Sequence, residues 1–160
     1  MQQKNNSFCK AFNKHPIKSA SIAQVHEAVL KDSGERVAVK VQHNWLKQYS
    51  PGDIKIVYWF VQIGERLFPE FQFKWFADEI EVNMKKELNF LEEVANSERC
   101  QQLLKSHTLI KIPKNHLSLC NEKVIVMEFV EGVPIMDVQT LRDEKFNLPE
   151  VARVISKAFC

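Results

Sequence analysis

Alternation of apolar and polar residues predicts a β-hairpin in the first third of the chain. Residues 21–30 and 35–42 are rich in β-formers, and "KDSG" between them has the composition of a turn. In "VAVKV" (37–41), Ala38 and Lys40 alternate with three valines. Since successive strand residues point to opposite faces, Lys40 is predicted to point away from an apolar layer.

Recurrence of apolar residues every three or four positions predicts helices in the middle and at the end of the chain. Asp53 is a suitable N-cap for a helix over residues 54–67, which Pro69 would end. The apolar spacing that follows predicts one long helix at residues 72–104. A last helix is predicted at residues 148–159.

Short apolar segments predict the remaining strands. We expect "TLIKI", before Pro113, to be one strand, and "HLSLC" and "KVIVMEFV" (123–130) to be two more around the turn "NEK". Residues 1–14 are polar and aperiodic and are expected to be loose. The order of elements predicts an α+β fold, an antiparallel sheet with a long helix packed against it.

Length, composition and charge indicate one globular domain, or one lobe of a larger one. The chain has 160 residues, of which 45% are hydrophobic and 26% charged. Its 22 basic and 20 acidic residues give a net charge of +2, which provides no overall attraction to nucleic acid. The four cysteines and five histidines lack metal-ligand spacing, so we expect reduced thiols and no metal site.

Eight aromatic residues are concentrated between residues 58 and 76. They are Tyr58, Trp59, Phe60, Phe68, Phe71, Phe73, Trp75 and Phe76. Helical spacing favours packing in a core, and a lipid-facing surface is the alternative. The longest apolar run, residues 56–63, is too short to span a bilayer.

Three features in chain order suggest a nucleotide site. The turn "KSAS" (18–21) leads into the hairpin, Lys40 ends "VAVK", and glutamates follow in "ELNFLEE" (87–93). In protein kinases a strand lysine contacts the phosphates of ATP and a helix glutamate positions it. The string "VIVMEFVEG" is typical of a buried strand running into a hinge, whose backbone could contact adenine. The alternative for the glutamates is an ordinary solvated helix face.

Helical geometry separates one of these glutamates from the expected apolar face. At about 100° per residue, that face would carry Met84, Leu88, Leu91 and Ala95. Glu93 lies on the opposite side, where it could reach either a cleft or solvent.

Several motifs together resemble the UbiB/ADCK (aarF-domain) atypical protein-kinase-like family. They are "PIKSASIAQVHEA", "VAVKVQ", "ELNFLEEVANSERC" and "VIVMEFVEGVPI", and the resemblance covers about residues 15–160. It implies a protein-kinase-like N-lobe with an incomplete C-lobe. After a loose segment at 1–14, the N-lobe would span 15–132, and 133–160 would leave the hinge and begin the C-lobe.

The resemblance also implies a role for individual residues. Lys40 would be the ATP-phosphate lysine, Glu93 its helix partner and Met127 the gatekeeper. Glu87 would be the first acid of an ExD motif, whose third position is Asn89 here. The residues expected to contact the nucleotide are Lys18, Ser19, Ala20, Ser21, Lys40, Glu93, Glu128 and Val130.

The sequence departs from the family pattern at several places. Asn89 lacks the negative charge of the usual aspartate. Lys18 and Ser19 stand where small apolar residues are usual, and Glu27 stands where arginine is common. The chain contains no KxGQ, HxD…N or DFG string. The ligands of Mg²⁺ and the catalytic loop are therefore expected outside it, in a missing C-lobe, and the chain alone is expected to be inactive.

By resemblance, the cofactors would be ATP and Mg²⁺, and the longer protein would act in quinone or isoprenoid-lipid homeostasis. A mitochondrion is the first expected location and a plastid the second, with a membrane surface or prenyl lipid as a further partner. Two alternatives stay open. One is a non-catalytic, pseudokinase-like module that docks a protein or a membrane, and the other is a gene-model fragment without an independent role.

Overall fold

An antiparallel sheet forms the centre of the computed structural model, which describes residues 8–68, 70 and 73–159. Its strands are β1 (Cys9–Phe12), β2 (Lys18–Ser19), β3 (Ala23–Leu30), β4 (Arg36–Gln42) and β5 (Val124–Glu128). The order is β1-β3-β4-β5, and β2 also pairs with β3. Helices accompany this sheet, so the predicted α+β fold is confirmed.

The predicted hairpin is formed by β3 and β4. Its register runs from Ala23 opposite Gln42 to Val29 opposite Arg36. In the turn, Gly34 has a φ of +69°, a conformation that glycine adopts at little cost. The glycine in "KDSG" therefore suits the backbone conformation of this turn.

Apolar layers cover both faces of the sheet. The first layer consists of Cys9, Ala28, Leu30, Val37, Val39, Val124 and Val126. The second consists of Ala23, Phe90, Val94 and Ile125, with Ile22, Cys120 and Met127 packed against it. Lys40 alternates with the valines of β4, so it lies on the face of the second layer, as predicted.

Helices account for most of the remaining chain. They are α1 (Leu46–Leu67), α2 (Lys74–Glu87), α3 (Phe90–Leu103), a 3-10 turn (Leu117–Leu119), α4 (Val138–Asp143) and α5 (Leu148–Phe159). The predicted last helix is confirmed. α1 packs against α2, α2 contacts α3, and α3 contacts β5.

The single long helix predicted for residues 72–104 is wrong, because the chain forms two helices there. Asn89 separates α2 from α3 with an extended backbone (φ −109°, ψ 97°). Its Oδ1 accepts a hydrogen bond from the N–H of Leu91 at 3.2 Å. Asparagine is a strong N-cap residue, and this capping bond starts a new helix in a new rotational phase.

The predicted start of the preceding helix is also wrong. α1 begins at Leu46, so Asp53 lies inside the helix and does not cap it. The helix continues through Pro51. The end at Leu67 agrees with the prediction.

Three other local expectations are wrong. Residues 9–12, expected to be loose, form β1, because Cys9 is buried in the first apolar layer beside Phe12. "TLIKI" and "HLSLC" are not strands. Between these two segments Asn115 makes an isolated bridge to Met127 on β5, and the chain then turns into the 3-10 segment. Asn115 is held by Ser97 and Glu98, which ties this edge to α3.

Candidate nucleotide-binding site

Lys40 and Glu93 form an ion pair where the sheet meets α3. The Nζ atom of Lys40 lies 2.6 and 2.7 Å from the two carboxylate oxygens of Glu93. It also lies 4.8 Å from the centroid of the Phe90 ring, within the range of a cation–π contact. The Lys40 side chain is 20% exposed. The ammonium group is therefore fixed by two neighbours and still accessible.

The start of α3 is attached to the sheet, and this attachment positions Glu93. The N–H of Phe90 donates to the carbonyl of Glu122 at 3.0 Å. The Nε2 of Gln42 donates to the carbonyl of Leu88 at 2.9 Å. Phe90 itself is almost fully buried between helix and sheet. One helical turn separates Phe90 from Glu93, so burying the first brings the second to Lys40.

The apolar face predicted for this helix is wrong. Leu91 is 44% exposed, whereas Phe90 and Val94 are buried. The prediction treated α2 and α3 as one helix and therefore gave them one continuous apolar face. In the structure a new helix, α3, begins after Asn89. In α3, Glu93 is adjacent to the buried face that Phe90 and Val94 form. Its side chain reaches Lys40 on the cleft side of the sheet.

The turn between β2 and β3 is tight without containing glycine. The N–H of Ala20 donates to the carbonyl of Ala23 at 2.8 Å, and the N–H of His43 donates to the carbonyl of Ile22 at 3.0 Å. In the described part of the chain, only Gly34 and Lys145 have positive φ. The turn therefore uses backbone conformations that alanine and serine adopt without strain.

The predicted loop residues, Lys18 to Ser21, are all exposed. Lys18 lies opposite Val25, and Val25 lies opposite Lys40. Directly paired strand residues share a face of the sheet, so the two lysines lie on the same face, two strand spacings or roughly 10 Å apart. Within the described residues, the N–H groups of Ser21 and Ile22 have no protein hydrogen-bond partner.

The residues predicted for the hinge lie at the end of β5 and directly after it. Met127 is half-buried and packs against the layer that contains Phe90. The N–H of Glu128 donates to the carbonyl of Lys114 at 2.8 Å, and its carboxylate pairs with Lys111. The Lys111 ammonium lowers the pKa of Glu128. Val130 is exposed, and its N–H has no partner in the part of the chain that the structure describes.

The two ExD-like positions lie at the junction of α2 and α3. Glu87 is the last residue of α2 and is exposed. Asn89 uses its side-chain oxygen to cap α3. Over residues 8–68, 70 and 73–159, no group of three or more His, Cys, Asp or Glu side chains could hold a metal ion.

Most of the aromatic residues expected in a core are instead at the surface. Six of the eight are 41–66% exposed: Trp59, Phe60, Phe68, Phe73, Trp75 and Phe76. Tyr58 is half-buried, and its hydroxyl donates to carboxylates of Asp78 and Glu81 at 2.6 and 2.9 Å. Phe71 lies outside the described residues. Among the described helices, none is both long and apolar enough to cross a membrane.

Sequence reasoning missed three residues that shape the site. Phe90 lies under the ammonium of Lys40, Gln42 holds the junction before α3, and Arg36 contacts the segment after β5. Two of them carried a signal. Gln42 is two residues from Lys40 and must share its strand face, and Phe90 precedes Glu93 by about one helical turn.

A sequence model and known proteins of the same family match most of this chain. Residues 1–160 match the sequence model described as "ABC1 atypical kinase-like domain". The chain is 37% identical to "AarF domain-containing protein kinase 1" of Mus musculus over 149 residues, which is 93% of this chain and 28% of that protein. It is 35% identical to "ABC1 family protein MCP2" of Saccharomyces cerevisiae over 154 residues, 92% of this chain and 27% of that protein.

A solved structure supports the fold. The chain superimposes on the Rv3197 protein of Mycobacterium tuberculosis, from its complex with erythromycin, with a TM-score of 0.72 and 29% identity. The match covers 83% of this chain and 33% of that one. The chain therefore spans about a third or less of the length of the proteins it resembles.

Proposed function

Because the chain belongs to the ABC1 atypical kinase-like family, we propose that it is the ATP-binding N-lobe of an atypical kinase. The observation that carries the proposal is the ion pair between Lys40 and Glu93. We assign residues 15–132 to the lobe and residues 133–160 to the exit from the hinge and the start of a C-lobe. Strand β1 pairs with β3, so the lobe also includes residues 9–12.

In this proposal the phosphates of ATP lie against the exposed side of Lys40. Glu93 holds the ammonium by two hydrogen bonds and Phe90 contacts it through its ring, which limits its freedom before the ligand arrives. The unpartnered N–H groups of Ser21 and Ile22 are suitable donors to phosphate oxygens. Lys18 adds a second positive charge on the same face of the sheet. Ser19 and Ala20 complete the turn through their backbone.

The adenine would bind along the end of β5 and the segment that follows it. The N–H and the side chain of Glu128 are already engaged, so its carbonyl is the group left to accept from the adenine amino group. The free N–H of Val130 would donate to a ring nitrogen. Met127, packed against the Phe90 layer, would take the gatekeeper position at the back of the pocket.

The proposed cofactors are ATP and Mg²⁺, with the metal ligands supplied from outside the described residues. Phosphoryl transfer needs a bound metal and an aspartate that orients the acceptor. We therefore expect this chain to bind nucleotide without turnover. For the longer proteins of the family, we propose a role in quinone or isoprenoid-lipid homeostasis, in a mitochondrion first and a plastid second.

The test is the dissociation constant of Mg-ATP, measured by calorimetry on the 160-residue chain. We expect Lys40→Met to weaken binding at least about tenfold, because a charge-assisted contact to phosphate is lost. Lys85→Met is the matched control, since Lys85 is also ion-paired, with Glu81, but lies on α2. Equal affinity in the wild type and Lys40→Met would contradict the proposal. ATP hydrolysis that depends on Lys40 would contradict the expected lack of turnover.

The exposed aromatic residues favour a second candidate function, a non-catalytic module that docks on a membrane surface. Exposed apolar patches of this kind are typical of protein or membrane contacts, and Trp59, Phe60 and Trp75 are each more than half exposed. We expect such a module to co-sediment with liposomes whether or not nucleotide is present. Substituting Trp59 and Trp75 by serine should then release it, while Lys40→Met should not.

A further inference from the structure

Arg36, the first residue of β4, contacts the segment after β5 in several ways. Its guanidinium pairs with Glu131 and, at 2.8 Å, with Glu27 on β3. The guanidinium carbon lies 4.6 Å from the centroid of the Phe129 ring. Its backbone carbonyl accepts from the N–H of Phe129 at 3.4 Å. One residue therefore contacts Phe129 twice and Glu131 once.

These contacts lie on both sides of one backbone group, the N–H of Val130. Phe129 and Glu131 are the two neighbours of Val130, whose N–H has no protein partner within the described residues. Fixing both neighbours restricts the peptide plane that carries this N–H. A planar guanidinium is suited to the task, because it can pair with two carboxylates at its edge while an aromatic ring stacks on its face.

We propose that Arg36 is a positioning residue for the adenine, which holds the segment 129–131 so that the Val130 N–H faces the base. The proposal rests on the nucleotide site proposed above. Glu27 supports this role because it accepts a hydrogen bond from Arg36 and so orients the guanidinium.

The effect of a change at Arg36 should be confined to binding of the adenine base. Arg36 and Lys40 share a face of β4 but are four residues apart, roughly 13 Å along a strand. A change at Arg36 should therefore alter recognition of adenine and leave the phosphate contacts intact. A purely structural role would instead weaken every ligand of the site together.

The experiment compares ATP with inorganic tripolyphosphate, each with Mg²⁺, on the 160-residue chain. We expect Arg36→Gln to weaken ATP binding about fivefold, the scale of one or two partly exposed ion pairs, and to leave tripolyphosphate binding within about twofold. Glu131→Gln should have a smaller effect in the same direction. Arg153→Gln is the matched control, because Arg153 is ion-paired with Glu150 on α5, and it should change neither affinity.

Equal weakening of both ligands, or of neither, would overturn the proposal. A second measurement needs no nucleotide. Amide hydrogen exchange of the peptide containing residues 129–131 should be faster in Arg36→Gln, with exchange at residues 20–22 unchanged. Unchanged exchange would refute the positioning role even if ATP binds. If the wild type failed to bind ATP but the exchange difference were present, both the nucleotide site and the adenine role would be refuted. Arg36 would then only stabilise the segment 129–131.

Discussion

The contact between α3 and the sheet differs sharply from the pair formed by α1 and α2. α3 buries Phe90 and Val94 against the sheet. α2 buries only Ala77, and no described side chain of α1 is buried. Yet α1 has the more regular apolar stripe, with Ile56, Phe60, Ile63 and Leu67 all exposed. Periodicity therefore indicates a helix, whereas burial depends on which surface the helix meets.

The difference also separates two kinds of chemistry. Where α3 meets the sheet, a buried ring supports a partly buried ammonium group beside a carboxylate, an arrangement suited to binding an anion. α1 and α2 instead present aromatic rings to the outside. Their polar contacts join Tyr58 to Asp78 and Glu81, and the N–H of Lys74 to Glu65. The first region carries the proposed nucleotide site, and the second would carry the docking surface of the alternative candidate function.

The largest expected effect is on the α3 side. Phe90→Ala should lower the free energy of unfolding by about 3–5 kcal/mol, because it removes a buried ring and leaves a cavity. Phe60→Ala, which truncates an exposed ring on α1, should change it by less than about 0.5 kcal/mol. Urea unfolding of both variants measures the contrast. Similar losses in the two would show that the exposed stripe is packed in solution.

An intermediate effect is expected at the junction of α2 and α3. Asn89→Ala should cost about 1 kcal/mol of stability, since the N–H of Leu91 loses its capping acceptor. Asn89→Asp keeps the acceptor and should be close to neutral. Thermal unfolding distinguishes the two variants. If alanine were tolerated as well as aspartate, the cap would not be what separates the helices.

The smallest effect is a pH dependence confined to α1 and α2. Hydrogen bonds to Asp78 and Glu81 raise the pKa of Tyr58, because ionisation would place a third negative charge beside two carboxylates. This contribution is fully present below the unfolded pKa of about 10 and is lost as pH rises through the higher folded value. Absorbance at 295 nm, as the difference between wild type and Tyr58→Phe, should titrate above pH 10. A midpoint at or below about 10 would contradict this contact.

The sequence was sufficient for the hairpin, the position of Lys40 and β5, because alternation and turn composition are local properties. The helix break carried a signal that periodicity obscured: Asn89 followed three residues later by Glu92 is a capping pattern. The exposure of Trp59 and Phe60 could not be predicted in the same way, since it depends on non-local packing. Arg36 was missed because its partners Phe129 and Glu131 are distant in sequence.

The most direct test is an amide NMR titration of the ¹⁵N-labelled chain with Mg-ATP, because one spectrum reports on both regions. We predict that the N–H signals of Ser21, Ile22 and Val130 shift in proportion to saturation. The indole signals of Trp59 and Trp75 should stay in place. Shifts confined to the indoles, or none at saturating ATP, would contradict the claim that the cleft beside Lys40 and Glu93 binds the nucleotide.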